Sequence, residues 1–154
     1  MRELSAVTRG LTAKAMEAVL HGQMESVLLQ QSRVAPEHLL LGLLRVPEAI
    51  ALRLLGELGA DPERVRALLQ ARLAVGSGPI DVDGLAQLHL TAAAQRVLEI
   101  ARAEAEGLAC PHVSTPYLLL GLLQVEDSVA GEVLRDFGVT PERVRSLVQA
   151  NPRE

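Results

Sequence analysis

The chain states nearly the same sixty residues twice, and this duplication limits what it can fold into more than any other feature. Residues 11–70 align without a gap on residues 90–149 at a constant offset of 79, with 24 identities in the 60 pairs. The longest shared strings are Leu39-Leu40-Leu41-Gly42-Leu43-Leu44 with Leu118-Leu119-Leu120-Gly121-Leu122-Leu123, and Pro62-Glu63-Arg64-Val65-Arg66 with Pro141-Glu142-Arg143-Val144-Arg145. A gapless repeat means one structural unit built twice. It also supplies an internal comparison. Positions that agree serve the common scaffold, and positions that differ are where the halves can diverge in function.

Composition sets the class of that unit. Hydrophobic residues make up 49% of the 154, yet there is one Phe, one Tyr and no Trp. A core built from Leu, Val and Ala favours helices over sheet. The chain is long enough to bury such a core as one domain. The expected fold is all-α: a tandem duplication of a four-helix unit packed as one pseudo-twofold domain over 1–154. Repeat one occupies 11–73, a linker 74–89 and repeat two 90–150.

Four helices per repeat follow from local signals. Thr12 and Thr91 are placed to cap a first helix. Behind them, small or apolar residues at 15, 18, 19, 22, 26 and 29, and at 94, 97, 98, 101, 105 and 108, form one helical stripe. The second helix carries the leucine strings, with Pro36 and Pro116 near its start, where a missing N–H is harmless. Gly42 and Gly121 interrupt it at a cost of about 1 kcal/mol each relative to Ala. Their presence in both copies predicts tight packing of one repeat's helix on the other. A third helix is expected at about 47–58 and 126–137, closed by Gly59 and Gly138. The fourth opens at Asp61-Pro62-Glu63 and Thr140-Pro141-Glu142, each a cap, a first-turn Pro and a dipole-favoured acid. The Gly-rich stretch from Ala74 to Gly84 reads as linker.

Charge and cysteine usage exclude several functions. Net charge is −4, and Lys and Arg are scattered. Nucleic-acid binding wants a basic face and aromatic platforms, and neither is present. No segment approaches the roughly 18 apolar residues of a membrane span, and the first ten residues hold no signal-peptide core. The lone Cys110 suits a reducing compartment. These features predict a soluble cytoplasmic protein. Cys110-Pro111-His112 lacks the matching ligand pair that a metal site requires, and a Cys–His nucleophile, which needs an orienting third group, is supported by nothing beyond two adjacent residue types. No metal, no cofactor and no enzymatic activity are expected.

The two ordered motifs resemble the N-terminal domain of Clp-type AAA+ unfoldases, the hexameric rings that feed proteins into the Clp protease. That family duplicates a four-helix unit with a core of the form Ile-Gly-Thr-Glu-His-Ile-Leu-Leu-Gly-Leu. Here the copies are Val34-Ala35-Pro36-Glu37-His38-Leu39-Leu40-Leu41-Gly42-Leu43 and Val113-Ser114-Thr115-Pro116-Tyr117-Leu118-Leu119-Leu120-Gly121-Leu122. The later pattern matches Ile50-Ala51, Leu55, Leu58-Gly59 and Val65-Arg66, and again Val129-Ala130, Leu134, Phe137-Gly138 and Val144-Arg145. No Gly-x-x-x-x-Gly-Lys-Ser/Thr loop occurs, and Lys14 is the single lysine. The resemblance therefore implies the binding domain without the ATPase, either as a piece of an unfoldase or free-standing.

It also implies a function and a site. The expected role is a protein-binding domain that recruits substrates or adaptors to an ATP-dependent Clp unfoldase and protease. The alternatives are a free-standing regulator that sequesters adaptors, marked substrates or small ligands, and a structural helical repeat that oligomerises. Expected partners are adaptor or substrate proteins, arginine-phosphorylated ones among them, and Clp components, with no nucleic acid and no membrane. In the resembled family the Glu of the motif helps hold phosphorylated arginine, its carboxylate on the guanidinium and helix N–H groups on the phosphate. Only Glu37 occupies that position, since its counterpart is Pro116. The candidate binding residues are Pro36, Glu37, His38, Thr115 and Tyr117. The repeated Pro-Glu-Arg-Val-Arg strings read as helix starts, with Arg64 and Arg143 solvated or paired locally.

Overall fold

The computed structural model describes residues 8–73 and 88–150. Over that span the chain forms eight helices: α1 (Ala13–Leu28), α2 (Pro36–Leu43), α3 (Ile50–Glu57), α4 (Pro62–Arg72), α5 (Ala92–Gly107), α6 (Thr115–Gln124), α7 (Val129–Asp136) and α8 (Pro141–Ala150). No strand occurs among the described residues, and the all-α reading holds. No helix there is long and apolar enough to cross a membrane. The assigned linker lies outside the described residues except for Leu88 and His89.

The first helix of each repeat begins where the capping signal places it. Thr12 Oγ1 accepts from Ala15 N at 3.2 Å, and Thr91 Oγ1 from Ala94 N at 3.0 Å. The third helices begin later than the sequence reading, at Ile50 and Val129 rather than at 47 and 126. Glu48 and Asp127 adopt left-handed backbone, with φ of 60° and 59°, and so break any helix running through them. The same helices end as expected. Gly59 and Gly138 sit at φ of 82° and 81°, and Ala60 N–H and Val139 N–H reach back to Leu55 O at 2.8 Å and Leu134 O at 3.1 Å. This is the double-bonded glycine stop of a helix C-terminus.

Gly42 and Gly121 do mark close approaches, but within each repeat rather than between repeats. A Cβ on Gly42 would overlap the backbone of Ala18 and Gly22, and one on Gly121 the carbonyl of Val97. The second helix of each repeat thus lies directly on the backbone of its own first helix. Leu40, Leu41, Leu43, Leu119, Leu120 and Leu122 are then enclosed in one continuous core. Burying each such side chain contributes roughly 2 kcal/mol.

The repeats interlock through their loops. Thr12 N–H bonds to Val113 O at 3.0 Å and Val113 N–H to Gly10 O at 2.8 Å. At the offset positions, Thr91 N–H bonds to Val34 O at 3.0 Å and Val34 N–H to His89 O at 2.7 Å. These parallel bridges are pseudo-equivalent. Each fixes the start of one repeat's first helix beside the start of the other's second helix. That juxtaposition builds the site.

Candidate functional site

The start of α2 is held by Val34 and turns into the helix at Ala35. Pro36 is the first helical residue and is buried; Glu37 follows, half-buried. No hydrogen bond or ion pair engages the Glu37 carboxylate among the described residues. It therefore lies free at the positive end of a helix. His38 does not join it as a charge. Its Nδ1 accepts from Ala35 N at 2.9 Å, which satisfies an orphan donor of the first turn. Burial pushes its pKa down to about 4, so the ring is neutral at pH 7.

The start of α6 is built differently. Thr115, grouped with the binding residues from sequence, is fully buried and turned away from any surface. Its Oγ1 accepts from Ala51 N at 3.1 Å, in the other repeat. Pro116 supplies no charge where Glu37 does. Tyr117 is buried. Desolvation, helped by a hydrogen bond with the Cys110 thiol, raises its pKa to about 12. The phenol thus remains protonated.

Tyr117 borders an open cavity of about 720 Å³, with Thr12, Ser114, Leu108 and Val148 on its walls. The Cys110–His112 loop closes one side, pinned by a hydrogen bond from Cys110 Sγ to His112 O at 3.1 Å. The side chains offer hydroxyl, amide and imidazole groups beside apolar surface. Such a cavity suits uncharged groups of a peptide. The two helix starts therefore present different chemistry on one scaffold: a free carboxylate at the start of α2, a cavity without a carboxylate on its walls at the start of α6.

Comparison with known proteins agrees with this architecture. The family model of the Clp repeat (R) N-terminal domain matches residues 10–137 and again 90–152. The chain belongs to the Clp repeat N-terminal domain family.

Among relatives of this Clp repeat domain, chaperone protein ClpB of Oceanobacillus iheyensis is 32% identical over 137 residues, covering 89% of this chain and 16% of the relative. The ATP-binding subunit ClpC of the Clp protease of Staphylococcus aureus is 32% identical over 138 residues, covering 90% and 16%. The chain thus spans about a sixth of the length of these relatives. The solved N-terminal domain of ClpV1 ATPase from E. coli superposes with a TM-score of 0.76 at 19% identity, covering 97% of this chain and 90% of that one. That of ClpD from Arabidopsis thaliana gives 0.69 at 21% identity, covering 91% and 95%. These likenesses establish the fold.

The sequence reading missed the cavity. Thr12, Ser114 and Val148 lie on three separate elements, so no local spacing connects them. One signal was available: Cys110-Pro111-His112 replaces Gln31-Ser32-Arg33, the kind of divergence between copies that marks a site.

Proposed function

We propose that this Clp repeat domain captures proteins, as substrates or adaptors, for a Clp-type ATP-driven unfoldase and protease, and is itself not catalytic. The reading is supported by one observation above all. The two copies preserve the buried scaffold, yet they differ in chemistry at the paired starts of α2 and α6. An open cavity and an unpaired carboxylate at those starts are recognition features, and among the described residues no nucleophile with an oriented base accompanies them.

A finer reading concerns repeat one. Glu37 is the single residue in the position from which the resembled family engages phosphorylated arginine, and in the first turn of α2, where Pro36 has no N–H and those of His38 and Leu39 bond Ala35 O, the Glu37 N–H is the one left for a phosphate. Repeat two, with Pro116, has no such carboxylate. Titration of a phosphoarginine peptide into the intact chain should show one site, weakened at least tenfold by Glu37→Ala. Two equal sites, or binding indifferent to that change, would refute the assignment. Co-precipitation tests the broader role: failure to enrich Clp components or their adaptors and substrates would sink it.

A further inference from the structure

Among the described residues, the large apolar side chains left exposed all lie on one helix. Leu20 is 52% exposed, Met24 46% and Leu28 56%. They recur every fourth residue along α1, so they form a single ridge on the face opposite the one that packs on α2. Repeat two has no such ridge. Its corresponding residues on α5 are Glu99, Ala103 and Gly107, all exposed. The two helices share their buried stripe and differ on the outer one. The ridge is therefore no requirement of the fold. An amphipathic helix needs one apolar face, and α1 has two.

We infer that the outer face of α1 docks an amphipathic helix of a partner protein, a surface separate from the Glu37 site. Area argues for a single helix. The three side chains leave on the order of 300 Å² open, whereas a stable dimer of this chain would need about 800 Å² per copy. A patch of this size is typical of a functional surface on a monomer. Charge defines the partner further. Glu17 is exposed one turn before Leu20 and holds no ion pair among the described residues. The fitting helix thus carries apolar residues at i, i+4 and i+8, with a Lys or Arg one turn beyond them to meet Glu17.

The test uses the full chain and a labelled, stapled helical peptide with Leu at i, i+4 and i+8 and Lys beyond the ridge. Saturable binding is expected, weakened at least tenfold by Leu20→Glu and unchanged by Glu37→Ala. Leu20→Glu installs the residue that repeat two already carries at Glu99 on the same scaffold, so the variant should keep its helical circular dichroism and melting temperature. Moving the peptide's Lys to the opposite face should also weaken binding, and Glu17→Gln should remove that difference. Absence of saturable binding, or equal binding to Leu20→Glu, overturns the proposal. Sedimentation of the chain alone should show a monomer. A dimer abolished by Leu20→Glu would make a second copy the occupant and overturn it as well.

Discussion

Thr115 caps a helix that is not its own: its Oγ1 accepts the N–H of Ala51, 64 residues earlier, at 3.1 Å and out of contact with solvent. The reason lies one turn away. In repeat two Ser128 caps α7 by accepting from Gly131 N at 2.9 Å, but its counterpart Ala49 has no oxygen to offer α3. Pro36, the counterpart of Thr115, has no hydroxyl either, and α7 needs none. The two hydroxyls serve different donors, Ser128 the third N–H of α7 and Thr115 the second of α3, so each helix start keeps one side-chain cap. Thr115→Val keeps the shape and removes the acceptor, and should cost about 1–3 kcal/mol in urea unfolding. Ala49→Ser should cost little alone and recover part of that loss in the double variant. Simple additivity of the two changes would show that the new hydroxyl takes Leu52 N, as Ser128 takes Gly131 N, and leaves Ala51 N unmet.

Glycines at different places should respond oppositely to alanine. Gly42→Ala drives a methyl into the α1 backbone at Ala18, where neither helix can yield without separating. The expected loss exceeds about 3 kcal/mol. Gly56→Ala meets nothing within 4 Å in α3 and should gain about 0.5–1 kcal/mol. Chemical denaturation of the pair measures both.

His38 should make the fold acid-sensitive. It titrates near 6.5 when unfolded and at about 4 when folded, because burial opposes its charge. Between those values only the unfolded chain binds the proton, so stability rises with pH across that window. The contribution is complete above about pH 6.5 and is lost as pH falls towards 4, on the order of 3 kcal/mol in all. His38→Gln keeps an acceptor for Ala35 N and should flatten that part of the stability–pH curve. An unchanged slope would show that another group causes it.

The copies also differ in their ion pairs. Arg145 grips Glu104 with two bonds, at 2.9 and 2.7 Å, while Gln124 donates to the same carboxylate at 2.8 Å. The Arg145 bonds are the main reason the Glu104 pKa is held below the usual carboxylate range. In repeat one Arg45 takes Glu25 at 3.4 Å, and Arg66, the counterpart of Arg145, has no partner among the described residues. Arg145→Ala should cost about 1 kcal/mol, since the pair is partly exposed, and Arg66→Ala under about 0.5 kcal/mol. The Glu104 contribution is present at neutral pH and disappears as pH falls through its lowered pKa. Thermal melts taken at successively lower pH should therefore show the gap between the two variants narrowing.

Much of the fold was legible in the residues alone, because the deciding interactions are local. Threonine caps, first-turn prolines and terminal glycines act within a few residues of themselves, and the duplication doubled each signal. The third-helix boundaries were not legible, since nothing in Glu48 or Asp127 by itself announces a left-handed backbone. Among the candidate site residues, Glu37 was readable as a lone carboxylate opposite Pro116. The sequence by itself thus determined the helical class, the twofold plan and the places where the copies part. Tertiary structure alone decided what those differences mean. Thr115 faces inward to take the Ala51 N–H across the repeat interface, His38 is neutral because the core closes over it, and the cavity beside Tyr117 exists only where three distant segments meet. Burial and partnership are properties of packing, and a residue's identity fixes neither until its neighbours are in place.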